Sequence, residues 1–200
     1  MYLFIDCETT GLPENSEAPI TDLNNWPRVV QLAWACYDAK HRHLETKSQI
    51  VKPKGFTIPR DAQRLHGIST SYALAYGRPL KTVLKDLAQA AREAKVVVAH
   101  NLRFDESVIS AEFLRIGLAP PFGRKHRICT MIGATDFCRL PGPYGYKWPT
   151  LAELYFELFD DEIEEAHNAG VDVVACAKCF FELKKRRVVL VGGSGVKFRY

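Results

Sequence analysis

The chain contains only one Cys-x-x-Cys pair, Cys176 and Cys179, so nothing completes a four-ligand zinc set. That pair falls in a predicted helix, where the spacing merely puts two thiols on one face. Cys7, Cys36, Cys129 and Cys138 are scattered, and reduced, packed thiols are the expectation for all six. No apolar run approaches the roughly 18 residues that a membrane-spanning helix needs. The first residues lack a basic stretch followed by an apolar core and a cleavage site. A cytoplasmic location without membrane contact is therefore expected. No Ser/Gly-rich linker divides the 200 residues, and with 47% hydrophobic content a single domain with a substantial core is expected.

A strong excess of one charge is also absent, with 27 Lys and Arg against 23 Asp and Glu. The balance conceals an asymmetry. Six cations and no acid follow Leu183, so residues 1–183 hold 21 cations against 23 acids. Lys184-Lys185-Arg186-Arg187 can bind phosphate in a salt-sensitive, sequence-independent way. The same cations would also be favoured by the dipole at a helix C-terminus. Val188 to Val191 reads as an edge strand and Gly192-Gly193-Ser194-Gly195 as a flexible end. The expected organisation is a domain over residues 1–184 and a basic C-terminal tail over 185–200.

Acids and imidazoles occur in a pattern. Tyr2-Leu3-Phe4-Ile5 begins a strand that reaches Glu8 and meets the turn residues Thr10-Gly11-Leu12-Pro13. The two-residue period of a strand puts Asp6 and Glu8 on one face at its end. Two adjacent, half-buried carboxylates repel, and a cation is the simplest remedy. An isolated Asp-x-Glu also fits the solvated mouth of a strand or the cap of a turn.

One six-residue pattern, His-Asn-x-x-x-Asp, occurs twice, at His100 to Asp105 and at His167 to Asp172. Before the first copy, Lys95-Val96-Val97-Val98-Ala99 reads as a strand; after it, Phe104 and Val108 follow at helical spacing, with Asn101 as N-cap. In the second copy Asn168 can cap a helix containing Val171, Val174, Ala175, Lys178 and Cys179. Five residues correspond to roughly 140° around a helix, so His167 must precede the helix if it is to share a site with Asp172. Each motif alone has a purely structural explanation: an acid in a first helical turn is favoured by the dipole, and a His before an Asn cap can close a loop. The repeated offset makes coincidence a weaker account.

Taken together, Phe4-Ile5-Asp6-Cys7-Glu8-Thr9-Thr10-Gly11-Leu12, Ala99-His100-Asn101 with Phe104-Asp105, and His167-x-Ala169-x-x-Asp172 resemble the three ordered motifs of the DEDDh 3′-to-5′ exonuclease superfamily. That superfamily includes the proofreading epsilon subunit of bacterial replicative DNA polymerase, ribonuclease T and oligoribonuclease. Arg64-Leu65-His66-Gly67-Ile68-Ser69 and Thr150-Leu151-Ala152-Glu153-Leu154-Tyr155 look like family segments too, and the likeness covers about residues 1–184. The resemblance implies an α/β, ribonuclease H-like fold, a mixed central sheet flanked by helices, and hydrolysis of nucleic acid from the 3′ end to nucleoside 5′-monophosphates. It implies two divalent ions, Mg²⁺ or Mn²⁺, with Asp6 bridging both, Glu8 and Asp172 on one, and Asp105 supporting the other largely through water. It implies His167 as general base. It implies Thr9, Thr10 and Leu12 at the terminal nucleotide, with Phe104 and His66 nearby. Core packing would equally explain Leu12 and Phe104, and a turn before Gly67 would explain His66.

The donor types agree with that chemistry. Two ions about 3.5–4 Å apart can activate water and stabilise a leaving oxygen. Oxygen ligands suit Mg²⁺ or Mn²⁺ rather than structural zinc. An imidazole, which changes charge near neutral pH, can take the proton of the attacking water. The residues alone do not say which imidazole; His100 has the same local context, and a structural role beside Asp105 is expected for it. Residues Pro13 to Pro27 form a longer link than the family's usual one, able to narrow a substrate channel, dock a partner or lie passively on the surface. Cys129-Thr130 stands where relatives often carry Asp-Thr. The expected partner is a single-stranded 3′ end, DNA or RNA, with a DNA polymerase or repair complex as a further one. The alternatives are a catalytically silent nucleic-acid-binding or polymerase-docking module and a small-nucleotide phosphodiesterase. Four clustered acids, which repel phosphate without metal, argue against a binder.

Overall fold

In the computed structural model, strand β1 (Tyr2–Thr9) sorts the core by the parity of its residues. Leu3, Ile5 and Cys7 join a buried cluster with Leu32, Trp34 and Val97, whereas Tyr2 and Phe4 join another with Ala33, Ala35, Val96 and Val98. A strand apolar on both faces belongs in the middle of a covered sheet. The structure describes residues 1–192 and 195–198, with side chains described as far as Val189.

The sheet has the order β3-β2-β1-β4-β5, with β2 over Val29–Tyr37, β3 over His43–Ile50, β4 over Val96–Ala99 and β5 over His126–Cys129. The first three strands run antiparallel, and β4 and β5 are parallel to β1, so the expected mixed sheet is observed. Strand β5 was not predicted. Its four residues His126-Arg127-Ile128-Cys129 lie at the sheet edge and only Ile128 is fully buried, too short an alternation to register.

Among the described residues seven helices flank the sheet: α1 (Arg60–His66), α2 (Thr70–Tyr76), α3 (Leu80–Arg92), α4 (Leu102–Arg115), α5 (Thr130–Cys138), α6 (Leu151–Phe159) and α7 (Ala169–Lys185). Helices α3 and α4 cover the face of Leu3 and Ile5; α5, α6 and α7 cover the face of Tyr2 and Phe4. Helix α3 buries an apolar stripe at Val83, Leu84, Leu87 and Ala91, with Leu80 half-buried at its start. Between α5 and α6, β6 (Pro141–Gly142) and β7 (Gly145–Tyr146) form a short hairpin.

Beyond α7, the strand expected at Val188 to Val191 is β8 (Val189–Gly192), paired antiparallel with β9 (Gly195–Phe198); Gly193 and Ser194 of the expected flexible end lie outside the described residues. Lys184 and Lys185 belong to α7. Lys184 donates to the Tyr2 hydroxyl (2.8 Å), Arg186 donates to the Leu158 carbonyl (2.8 Å), and Lys185 and Arg186 both pair with Glu182. These contacts favour the helix-end reading of three of the four basic residues.

The Pro13 to Pro27 link is pinned along its length. Trp26 is buried and its indole N–H donates to the Pro19 carbonyl (3.1 Å), while Arg115 of α4 donates to the carbonyls of Leu23 and Trp26, each at 2.6 Å. Glu17 pairs with Arg103 at the start of α4. All six cysteines are free thiols, five buried and Cys129 half-buried. No helix among the described residues is long and apolar enough to cross a membrane.

Candidate active site

Strand β4 pairs with β1 only as far as Phe4 and Val98, so the last residues of β1 project beyond their parallel neighbour. This is where the chain switches from antiparallel to parallel pairing, a place where α/β folds open a crevice. Asp6 and Glu8 share the parity of Tyr2 and Phe4, and therefore the face crossed by α7.

The start of α7 is fixed by several contacts. Asn168 is the N-cap, its side chain accepting the Gly170 N–H at 3.0 Å. Gln31 on β2 accepts the Ala169 N–H (3.1 Å) and donates to Ser48 (3.0 Å) and Asn168 (3.3 Å). Gly170 permits the close approach: a Cβ there would lie 2.9 Å from the Ser48 Cβ. The first turn so placed carries Asp172 to β1, and ligand oxygens of Asp6, Glu8 and Asp172 all lie within 4.8 Å of one another. His167 precedes the helix with φ of 67° and its backbone N–H donates to Asp172 (3.0 Å), so imidazole and acid share a site as the 140° offset required. A cavity of about 240 Å³ is lined by Asp6, His100, Thr150, His167 and Asp172.

Asp105 arrives from the opposite face. Asn101 holds the N-cap position of α4 but sits in the left-handed region (φ 73°, ψ 47°) and makes no side-chain cap, contrary to the expectation. Its conformation turns the chain sharply from β4 into α4. Asp105 is 3% exposed and accepts the Cys7 N–H at 3.0 Å, satisfying a donor that β4 does not reach.

Burial first, then Asp105, Asp172 and Glu8, pushes the Asp6 carboxyl well above the usual carboxylate range. Burial, Asp172 and Asp105 raise Glu8 to about 7. Burial raises Asp105 to about 7 against the pull of its Cys7 hydrogen bonds, and raises Asp172 against the His167 N–H. Four carboxyls that resist ionisation beside one another fit a site completed by a cation, and oxygen-only donors fit a hard divalent ion.

His100 does not bond to Asp105. Its Nδ1 lies 3.0 Å from the Thr130 hydroxyl and its Nε2 donates to the Pro149 carbonyl (2.9 Å), and burial pushes its pKa down to about 4. The expected structural role fits, with different partners. Among the substrate candidates, Leu12 is 83% exposed, which rules out core packing, while Phe104 is half-buried against the β1–α4 cluster. The Thr9 hydroxyl donates to the Gly11 carbonyl (2.6 Å) and the Thr10 hydroxyl accepts the Arg28 N–H (3.0 Å), so both shape the turn after β1. His66 is buried with Nδ1 accepting the Ile68 N–H (3.1 Å); burial lowers its pKa against the nearby Thr9 backbone, and its Nε2 has no partner among the described residues.

The family model described as exonuclease, named for ribonuclease T, matches residues 3–180. The chain belongs to this exonuclease family. It is a member of the DEDDh 3′-to-5′ exonuclease superfamily, hydrolases with a ribonuclease H-like fold. Among solved structures it is similar to E. coli exonuclease I bound to a dT13 oligonucleotide (21% identity, TM-score 0.75, covering 93% of this chain and 41% of that one). It is similar also to the zinc-bound form of the E. coli exonuclease I–single-stranded DNA complex (21%, 0.74, 93% and 41%) and to a product-bound exonuclease I (20%, 0.72, 93% and 43%). The exonuclease domain thus spans about two fifths of the length of these chains, and the likeness is one of fold. No curated protein matches it.

Sequence reasoning missed Gln31, Ser48 and Gly170, which seat the exonuclease domain's α7, and Thr130 and Pro149, which hold His100. Gly170 inside the predicted helix was the one signal for the first group, since an interior glycine is unfavourable unless packing demands it.

Proposed function

We propose that this exonuclease domain removes nucleoside 5′-monophosphates from the 3′ end of single-stranded or frayed nucleic acid, using two divalent ions, Mg²⁺ or Mn²⁺, and His167 as general base. The convergence of Asp6, Glu8 and Asp172 within 4.8 Å, beside His167, carries this reading. Asp6 would bridge the ions, with Glu8 and Asp172 on one and Asp105 supporting the other through water. Bound ions would neutralise the carboxylates, compensate charge on the phosphoryl oxygens and stabilise the leaving 3′ oxygen. His167 accepts a proton from the attacking water, held in position by its backbone bond to Asp172. The exposed Leu12 and the edge of Phe104 meet the terminal base, a contact that tolerates any base because each has a π-face. The turn at Thr9 and Thr10 contacts the terminal nucleotide, and the buried His66, beside the Thr9 backbone, backs that contact.

Residues 1–184 are the catalytic domain in this reading, followed by the basic segment 185–200. The exonuclease I structures hold single-stranded DNA, so DNA is the first substrate and RNA the comparison. A polymerase or repair complex would present frayed 3′ ends.

The test is a gel time course on 5′-labelled single-stranded DNA and its RNA counterpart with Mg²⁺, Mn²⁺ or EDTA, beside Asp6→Ala. A ladder shortening from the 3′ end, abolished by EDTA and by the substitution, is the expected result. Hydrolysis confined to dinucleotides would assign a small-nucleotide phosphodiesterase, and binding without hydrolysis a silent module.

A further inference from the structure

Between α5 and α6 three aromatic rings stand in solvent: Tyr144 is 101% exposed, Tyr146 51% and Trp148 63%. They belong to a braced hairpin. Pro141 pairs with Tyr146 and Gly142 with Gly145, the Lys147 N–H donates to the Leu140 carbonyl (2.9 Å), and Lys147 pairs with Glu153 of α6 (2.5 Å). Gly145 takes the turn at φ 127°, and a Cβ on Gly142 would lie 3.0 Å from the Gly145 carbonyl oxygen. Apolar rings held out of the core by a braced backbone mark an interaction site.

The shape and the surroundings say what covers them. Tyr144 stands in the turn of the hairpin, Tyr146 in β7 and Trp148 two residues beyond it. Pro143, Tyr144, Tyr146, Lys147 and Trp148 line a hollow of about 460 Å³. The hairpin leads into the catalytic cleft: the Pro149 carbonyl accepts from His100, and Thr150 lines the cavity with Asp6 and His167. From Phe137 to Ala152 there is no acid, while Arg139 and Lys147 are basic. The loop after α6, which reaches the same cavity through Ile163, Ala166 and His167, carries exposed Asp160, Asp161, Glu162, Glu164 and Glu165. A phosphate backbone leaving the cleft is repelled from that loop and admitted along the hairpin.

We infer that the β6–β7 hairpin is a stacking platform for the nucleobases upstream of the 3′-terminal nucleotide of a single strand, with Tyr144, Tyr146 and Trp148 supplying the rings. Bases paired in a duplex are turned inward, so the platform selects single strands, and it tolerates any sequence. The inference rests on the nuclease reading of the adjacent cleft.

Two measurements test it. Trp26 and Trp34 are buried, so Trp148 is the exposed indole, and adding dT12 to the protein in EDTA should quench its emission far more than adding dT2. With metal, KM should fall from dT2 to dT12. Tyr144→Ala and Trp148→Ala should each raise KM for dT12 roughly tenfold, flattening that dependence, and Trp148→Phe should restore it. Tyr76→Ala, which removes an exposed ring on α2, should leave the length dependence intact. Hydrolysis of dT12 without quenching or length dependence overturns the platform and keeps the exonuclease reading. Quenching by dT12 with no hydrolysis under any metal keeps the platform and overturns the exonuclease reading.

Discussion

Two imidazoles line the same cavity and differ in what their nitrogens are committed to. His100 is bound on both sides, by Thr130 and by Pro149, and burial holds it neutral, with its pKa pushed down to about 4. It acts as a strut between the end of β4 and the segment entering α6. His167 engages Asp172 through its backbone N–H, leaving the ring turned to the cavity. His167→Ala should therefore lower kcat by roughly 10²–10⁴ while the protein keeps its thermal stabilisation by Mn²⁺. His100→Ala should cost about 1–3 kcal/mol of stability, because the Pro149 carbonyl loses its buried donor. Urea unfolding and kcat measured on both variants separate the roles. A drop in kcat for His100→Ala as large as that for His167→Ala, with unchanged stability, would transfer the base role to His100. The distinction could not be read from the sequence, where both residues precede Asn and an acid at the same offset. It depends on Thr130 and Pro149, 30 and 49 residues further along.

Helix α7 shows which part of the site the sequence carries and which it does not. The Asn168 cap, the loop position of His167 and the first-turn acid Asp172 follow from local chemistry and the helical period, and all three are found. The paired acids of β1 follow from the strand period in the same way. Strand β5 and the left-handed Asn101 do not follow, because an edge strand with one buried residue and a tertiary-enforced turn leave no periodic trace. Nor does the seating of α7 on Ser48, for which Gly170 was the only mark. Helix propensity alone predicts that Gly170→Ala stabilises by up to about 1 kcal/mol. The added Cβ, 2.9 Å from the Ser48 Cβ and 3.0 Å from its Oγ, should instead destabilise by about 1–3 kcal/mol and lower kcat by displacing Asp172. Adding Ser48→Gly removes both contacts and should recover most of each loss, a coupling visible in a double-mutant cycle. A more stable Gly170→Ala single variant would show that α7 is not held so tightly.

The acidic cluster links the stability of the entire domain to pH and metal. Asp6, Glu8, Asp105 and Asp172 all hold protons more tightly in the fold than in the unfolded chain, where carboxyls titrate near 4. Below about pH 4 both states are protonated and the cluster costs nothing. As pH rises from about 4 to 7 the unfolded chain releases protons that the metal-free fold retains, so stability falls through that window. Raising one buried carboxyl to about 7 corresponds to on the order of 3 kcal/mol, and coupled groups do not add in full. Melting in EDTA should therefore show a Tm lower by about 5–15 °C at pH 8 than at pH 5. Saturating Mg²⁺ or Mn²⁺ binds the ionised carboxylates and should recover that loss at pH 8, with little effect at pH 5 where protons compete. Asp6→Asn removes the most strongly repelled charge, so the metal-free variant should melt higher than wild type at pH 8 and gain little from either ion. A metal-free Tm as high at pH 8 as at pH 5, and unmoved by metal, would mean that the four carboxyls are solvated separately and do not form one cation site. The same melts thus probe whether the domain keeps an electrostatic cost in its resting fold that only the divalent ions of its chemistry relieve.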